Sequence, residues 1–296
     1  ATVAPNVKIT DVEITNFTRS GIELAMDATL DEASFYVSRV KSHTGKGRCI
    51  QFGNNDNGCW NVTIENCPRL GDVSSIGSAE AKGILVYGYN VNIDGNTINN
   101  VRNESISGGE GIYIKSSFAT ITNNKLRDGG SSADGCITLK GAGYFGNIEA
   151  DEGDISVVSG NTISMTDITY DSKGIGLFDN NVICTDNILR DMRVDRGTLL
   201  QSVAIALAGS EAVCNAQVSN NKTIGWVNFM GDFADAAKGR SYFGDNINIK
   251  NNIAINLLGY GIVWRGGTGL STRDMTISSV GNTITIDGNA GFNPEL

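Results

Sequence analysis

The chain has 296 residues, 37 of them glycine and only 3 proline, with a 40% hydrophobic share and a formal net charge of −9. That is enough apolar material for one long core, which excludes a disordered protein. The acidity argues against nucleic acid and anionic membrane as partners, because phosphate binding needs clustered Lys and Arg. No apolar run approaches the roughly 18–20 residues of a membrane span.

The chain begins with Ala and shows no basic-then-apolar leader, so an N-terminal part is expected to have been processed or left out. We expect one elongated domain over 1–296, or a fragment of a longer protein. The only histidine, His43, lies in an early turn, Lys41 to Lys46. It is too remote from the richest chemistry to anchor a Ser-His-Asp triad.

From Ile84 onward two phrases alternate. One is apolar-x-apolar beside a Gly: Ile84-Leu85-Val86, Ile112-Tyr113-Ile114, Ile137-Thr138-Leu139, Ile175-Gly176-Leu177, Ile205-Ala206-Leu207 and Ile262-Val263-Trp264. The other is apolar-x-apolar-x-x-Asn-x-apolar, seen as Val91 to Ile98, and it returns near Asn124, Asn161, Asn187, Asn252 and Asn282, with looser copies at Asn66 and Asn221. Apolar residues two apart are strands with one face inward. A period near thirty residues cannot bury that face alone, so the units must stack into a solenoid.

Two or three short strands per turn, bounded by Gly, Asn, Asp and Ser, predict an all-β fold, a right-handed parallel β-helix. About ten coils at roughly 4.8 Å each would make a rod about 45–50 Å long. The Asn positions then form a column that bonds turn backbone and the Asn above and below. Six cysteines, Cys49, Cys59, Cys67, Cys136, Cys184 and Cys214, have no zinc-like spacing. They read as small buried hydrophobes, with a Cys59–Cys67 bridge as the alternative.

A solenoid projects one residue per coil into an outward row. Aligned on the inward residues, one row holds Tyr87, Lys115, Lys140 and Phe178, and its neighbour holds Leu85, Tyr113, Thr138 and Gly176. Aromatic faces pack on sugar faces and ammonium groups meet carboxylates, so this patch suits an acidic glycan laid along the rod. Acids stand just ahead of the strands: Glu80, Glu110, Asp134 and Asp171. Glu110 and Asp134 would fall on adjacent coils roughly 5–8 Å apart, within glycosidase range, with Asp171 as the other partner.

A longer connection at Gly141 to Asp154, carrying Tyr144, would wall the groove, and Arg190 and Arg193 on another would hold acidic sugars. Leu85, Ala206, Ala208, Val263 and Phe178 are apolar at outward positions, which we read as surface covered by loops or by another subunit.

These repeated Asn-x-Ile and Gly-Ile-x-Ile phrases resemble the right-handed β-helix of the pectate-lyase-like superfamily over nearly the whole chain, and their Gly-rich style resembles the body of a phage tailspike. That resemblance implies a homotrimeric depolymerase on a virion tail, or an extracellular one, acting on a bacterial surface polysaccharide. The stretch Gly108 to Ser116, with Asn124-Lys125-Leu126 and Gly135 to Gly141, is similar in order and spacing to the catalytic segment of chondroitinase-B-like and alginate lyases. By that likeness Lys115 maps to the base, Lys140 to an arginine position, and Glu110 to a calcium-linked acid, which makes Ca2+ the implied cofactor. Lys140-Gly141 stands where the family has Arg-His, and no full set of calcium ligands is found.

The chemistry is coherent on its own terms. Removing the C5 proton of a uronic acid needs a base, and the charge growing on its carboxylate needs a cation. Two lysines one coil apart can divide those tasks, with Tyr113 as a second acid or base. The expectation is therefore a polysaccharide depolymerase working by β-elimination. The alternatives are a hydrolase using the carboxylates and a non-catalytic glycan-binding spike or adhesin. A structural or ice-binding rod fits poorly, since no regular Thr ladder is present.

Overall fold

The computed structural model describes residues 6–24, 33–54, 57–75, 81–102, 109–116, 118–129, 135–141, 154–166, 173–179, 181–191, 203–207, 215–226, 228–231, 247–257, 261–263 and 277–286. They form short strands paired in parallel one coil apart, an all-β solenoid with three ladders. The first ladder runs from Asn6–Thr10 to Ile277–Val280 and the third from Ser20–Leu24 to Ile262–Val263. They share the long strand Lys82–Asp94, which joins them into one 18-stranded sheet. The second ladder is a separate ten-stranded sheet from Glu13–Thr15 to Thr283–Ile286. Among the described residues no helix is long and apolar enough to cross a membrane.

The core follows from alternation. In the third ladder Ile50, Ile84, Ile112, Ile137, Ile175 and Ile205 pair in register and are fully buried. The small residue ahead of these isoleucines, glycine at Gly83, Gly111 and Gly174, has a packing reason. A Cβ on Gly111 would come within 2.6 Å of Leu126 Cδ2, so the third ladder closes on the second only where that position is small. Cys49 and Cys136 occupy the same inward position ahead of Ile50 and Ile137, as their repeat alignment implied.

The bend after the first ladder is set by two adjacent residues per coil. One adopts positive φ, as in Asn66, Gly95, Asn123, Gly160, Asp186, Asn220 and Asn251, a conformation that Asn, Asp and Gly tolerate best. The next is the stacked Asn. Asn96, Asn124, Asn161, Asn187, Asn221 and Asn252 are buried, and each Nδ2 donates to the Oδ1 of the following Asn at 2.9–3.0 Å. Each also donates to a first-ladder carbonyl, as Asn161 does to Ile121 O at 2.9 Å. Asn221 is thus a full member of the column. Asn66 is not: it holds the positive-φ position, and Cys67 takes the next one, its backbone N–H reaching Asn96 Oδ1 at 3.1 Å. The Asn66 phrase is one residue out of register.

Cys49, Cys59, Cys67, Cys136 and Cys184 are free and buried, so the Cys59–Cys67 bridge is not formed. Burial raises their thiol pKa values, to about 12 for Cys49, Cys59 and Cys184, to about 11 for Cys67, and upward for Cys136. Cys214 lies outside the described residues.

Candidate functional site

The third ladder brings the central patch together. Tyr87, Lys115 and Lys140 pair in register on successive strands, and Lys140 pairs with Phe178. All four side chains are half-buried. Two lysines on adjacent strands repel each other, and the aromatics that flank them in the row offset that cost. Lys115 Nζ lies 5.0 Å from the Tyr87 ring centroid, and Lys140 Nζ lies 5.4 Å from that of Phe178.

Tyr113 sits at the centre. It points outward, between inward Ile112 and Ile114, yet is only 7% exposed. Lys82, Lys140 and Lys115 approach its ring at 4.3, 4.9 and 5.9 Å from the centroid. Glu110 is fully buried, and its Oε2 accepts from Lys82 Nζ at 2.5 Å. The backbone imposes this pair, because Glu110 and Lys82 are register partners. Three ammonium groups thus gather on a single phenol ring, one of them paired with the Glu110 carboxylate, an excess of positive charge in a chain of net charge −9.

Lys82 was not among the residues read from sequence as a site. Carrying the register three positions back from Leu85 and Tyr113, past Gly83 and Gly111, places it opposite Glu110, a step that strict alternation does not count as outward. That pairing also revises Glu110. A carboxylate enclosed in protein and committed to Lys82 is a poor exposed acid for a glycosidase, and it does not fit a calcium ligand. Among the described residues no cluster of three His, Cys, Asp or Glu side chains could hold a metal ion.

Asp134, Asp171, Tyr144 and Arg193 lie outside the described residues. Arg190 does not join the patch: it is exposed on the second ladder, with Asp191 at 3.7 Å. His43 is on the second ladder too, bonded to Thr44 Oγ1 at 2.9 Å and Glu13 Oε1 at 3.1 Å. Leu85 and Ala206 are buried within one chain, so they give no argument for a second copy.

Beside the patch, two residues beyond Tyr87 on the same strand, Tyr89 stands between Trp60 and Phe118 at 4.5 and 5.9 Å between centroids. Its hydroxyl donates to Asp154 Oδ2 at 2.9 Å. Three half-buried rings on successive coils therefore border the cation row along the rod. The sequence reading passed over them because they fall at the bend between its two phrases.

The family model for the right-handed β-helix region matches residues 57–239, more than half of the chain. The chain belongs to that family. Six of the ten second-ladder strands, Arg69–Ser74 through Lys222–Ile224, lie in the matched segment, about six turns of the helix. No curated protein matches it. Among solved structures, the chain is similar to the catalytic domain of a GH87 α-1,3-glucanase variant in complex with tetrasaccharides. The identity is 13% and the TM-score 0.38, with 96% of this β-helix chain and 62% of that chain covered. So distant a likeness carries no argument about chemistry, and this chain spans under two thirds of that one's length.

Proposed function

We propose that this β-helix protein is a polysaccharide depolymerase that lays an acidic glycan along its third ladder and cleaves it by β-elimination at a uronic acid. The observation that carries this reading is the row Tyr87, Lys115, Lys140 and Phe178 with Tyr113 at its centre, an aromatic and cationic track in an otherwise acidic chain. Rings hold sugar faces, while Lys140 neutralises the carboxylate that gains charge. Lys115 takes the C5 proton, whose bonding electrons form the C4–C5 double bond as the O4 leaving group departs. Tyr113 is the acid that protonates that oxygen.

The test is incubation with a panel of acidic polysaccharides, following ultraviolet absorbance of unsaturated ends together with polymer length. We expect both to change, and Lys115→Ala to slow the reaction by about 10²-fold or more. Shortening without unsaturated ends would replace elimination by hydrolysis, with Asp134 or Asp171 as the acids to test. Saturable binding without shortening would make the chain a glycan-binding spike, a reading favoured by the low exposure of Tyr113. A virion-borne or extracellular homotrimer belongs to the same proposal, and solution mass measurement tests the oligomer.

A further inference from the structure

On the outer face of the first ladder, away from the lysine row, the outward residues change character. Thr63, Asn92 and Thr120 give way in register to Val157, Ile183, Gln217 and Asn248. Around the last three lies a groove of about 260 Å³, lined by Ile155, Ile183, Asn181, Asn215, Gln217 and Asn248 among others. It is smaller than the roughly 300–1,000 Å³ of sites for drug-sized ligands, which leaves room for a single ring.

Among the described residues, none that lines it is ionisable. Its apolar part includes Ile155, a large hydrophobe left 45% exposed, and half-buried Ile183. Its polar part is four amides, two of them oriented by each other, since Asn215 Nδ2 donates to Asn181 Oδ1 at 2.8 Å. Gln217 commits its nitrogen to Ser219 Oγ at 3.1 Å, leaving its oxygen to accept. Asn248 Oδ1 is buried and has no hydrogen-bond partner. An unpaired buried acceptor costs about 1–3 kcal/mol, so native structures retain few without a reason.

We propose that this groove is a second glycan site, binding one uncharged pyranose ring. The isoleucines pack on the sugar's apolar face, and ring hydroxyls donate to Gln217 Oε1 and, with a turn of the Asn248 amide that brings its enclosed oxygen into the groove, to Asn248 Oδ1. The amides supply both donors and acceptors, which matches hydroxyls. With no cation among its described lining residues, the groove favours an uncharged ring over a uronate. A site of this kind would hold a neutral residue of a mixed polymer while the lysine row engages an acidic one.

The experiment is saturation-transfer NMR with methyl glucoside, N-acetylglucosamine and glucuronate as probes, on the full chain and on Gln217→Ala, Asn248→Ala and the solvent-facing Ile155→Asp. Thermal unfolding monitors the fold of each. We expect transfer to a neutral probe, and an affinity loss of about fivefold or more in each variant. Lys115→Ala should leave that binding intact, and monosaccharide binding is read without any cleavage, so this proposal and the depolymerase reading fail separately. Absence of transfer to either neutral sugar would overturn it. So would neutral binding that survives all three variants, or binding of glucuronate alone.

Discussion

Asn161 shows what one residue contributes to a stacked fold. Its Oδ1 accepts from Asn124 N and Nδ2, each at 3.0 Å, while its own Nδ2 donates to Ile121 O at 2.9 Å and to Asn187 Oδ1 at 3.0 Å. Asn161→Ala would strip a partner from the Asn124 N–H and from the Ile121 carbonyl, both deep in the bend. Each bare group costs about 1–3 kcal/mol, so we expect a loss of several kcal/mol in a denaturant titration. Asn161→Asp should be worse than its near-identical shape suggests, because the charge would be buried without a cation. The same substitution at Asn66, which carries the positive φ but not the column, should cost much less. The repeating phrase made the column legible in sequence, but the slip between Asn66 and Cys67 was not. There the repeat puts a thiol where the pattern expects an amide.

At the scale of the element, the third-ladder strand Glu110–Lys115 carries opposite demands on alternate residues. Ile112 and Ile114 fill the core, Tyr113 and Lys115 face outward, and Glu110, beyond the break in alternation at Gly111, pairs with Lys82 of the neighbouring coil. Its Glu110–Lys82 pair is buried, so removing one partner strands the other charge. Glu110→Gln should destabilise by about 3–5 kcal/mol. Replacing both, as Lys82→Met with Glu110→Leu, should recover most of that loss by the same reasoning. Thermal unfolding of the single and double variants would check this, and a double-variant loss equal to the sum of the two single losses would show that the pair is not energetically coupled. A double variant that is stable yet inactive would assign Lys82 to holding Tyr113 and the substrate rather than to folding. The outward rows through Tyr87, Lys115, Lys140 and Phe178 were readable, since a period-two strand makes them a matter of counting from the inward isoleucines. The Lys82–Glu110 pair was not readable by that count, which assigns both residues to the inward side of the strand; the break in alternation at Gly83 and Gly111 decides it.

The whole molecule is one continuous core shared among three ladders, and five of its cysteines are sealed inside it. Their thiols have folded pKa values raised by burial from 9.0 to about 11 or 12 where a value is defined. In the unfolded chain they ionise near 9, whereas the folded protein keeps them protonated. Stability from this source is therefore complete below about pH 9 and falls as pH rises from there toward 12. The limiting slope is roughly 1 kcal/mol per pH unit for each thiol. We expect the thermal midpoint to drop on that alkaline side, and a Cys136→Ala variant to drop less steeply than the parent. Identical slopes would assign the alkaline transition to lysines and tyrosines instead. Alkylation under native conditions should be slow at all five positions, because the reactive thiolate is suppressed.

Local pattern alone determined the solenoid: strands that alternate in twos, turn residues between them and a thirty-residue period have one economical solution, which is to stack. The buried Asn column, the small residue ahead of each core isoleucine and the outward row of lysines and rings follow from that period, because equivalent positions in successive coils become neighbours. Tertiary structure alone decided what those neighbours do. It placed Lys82 on Glu110, gathered three ammonium groups around Tyr113, enclosed Leu85 and Ala206 within a single chain, and sent Arg190 to a different face. Connections of unequal length separate these residues in the chain, so their meeting depends on how each coil closes. Burial then decides whether an acid such as Glu110 faces a substrate or a lysine.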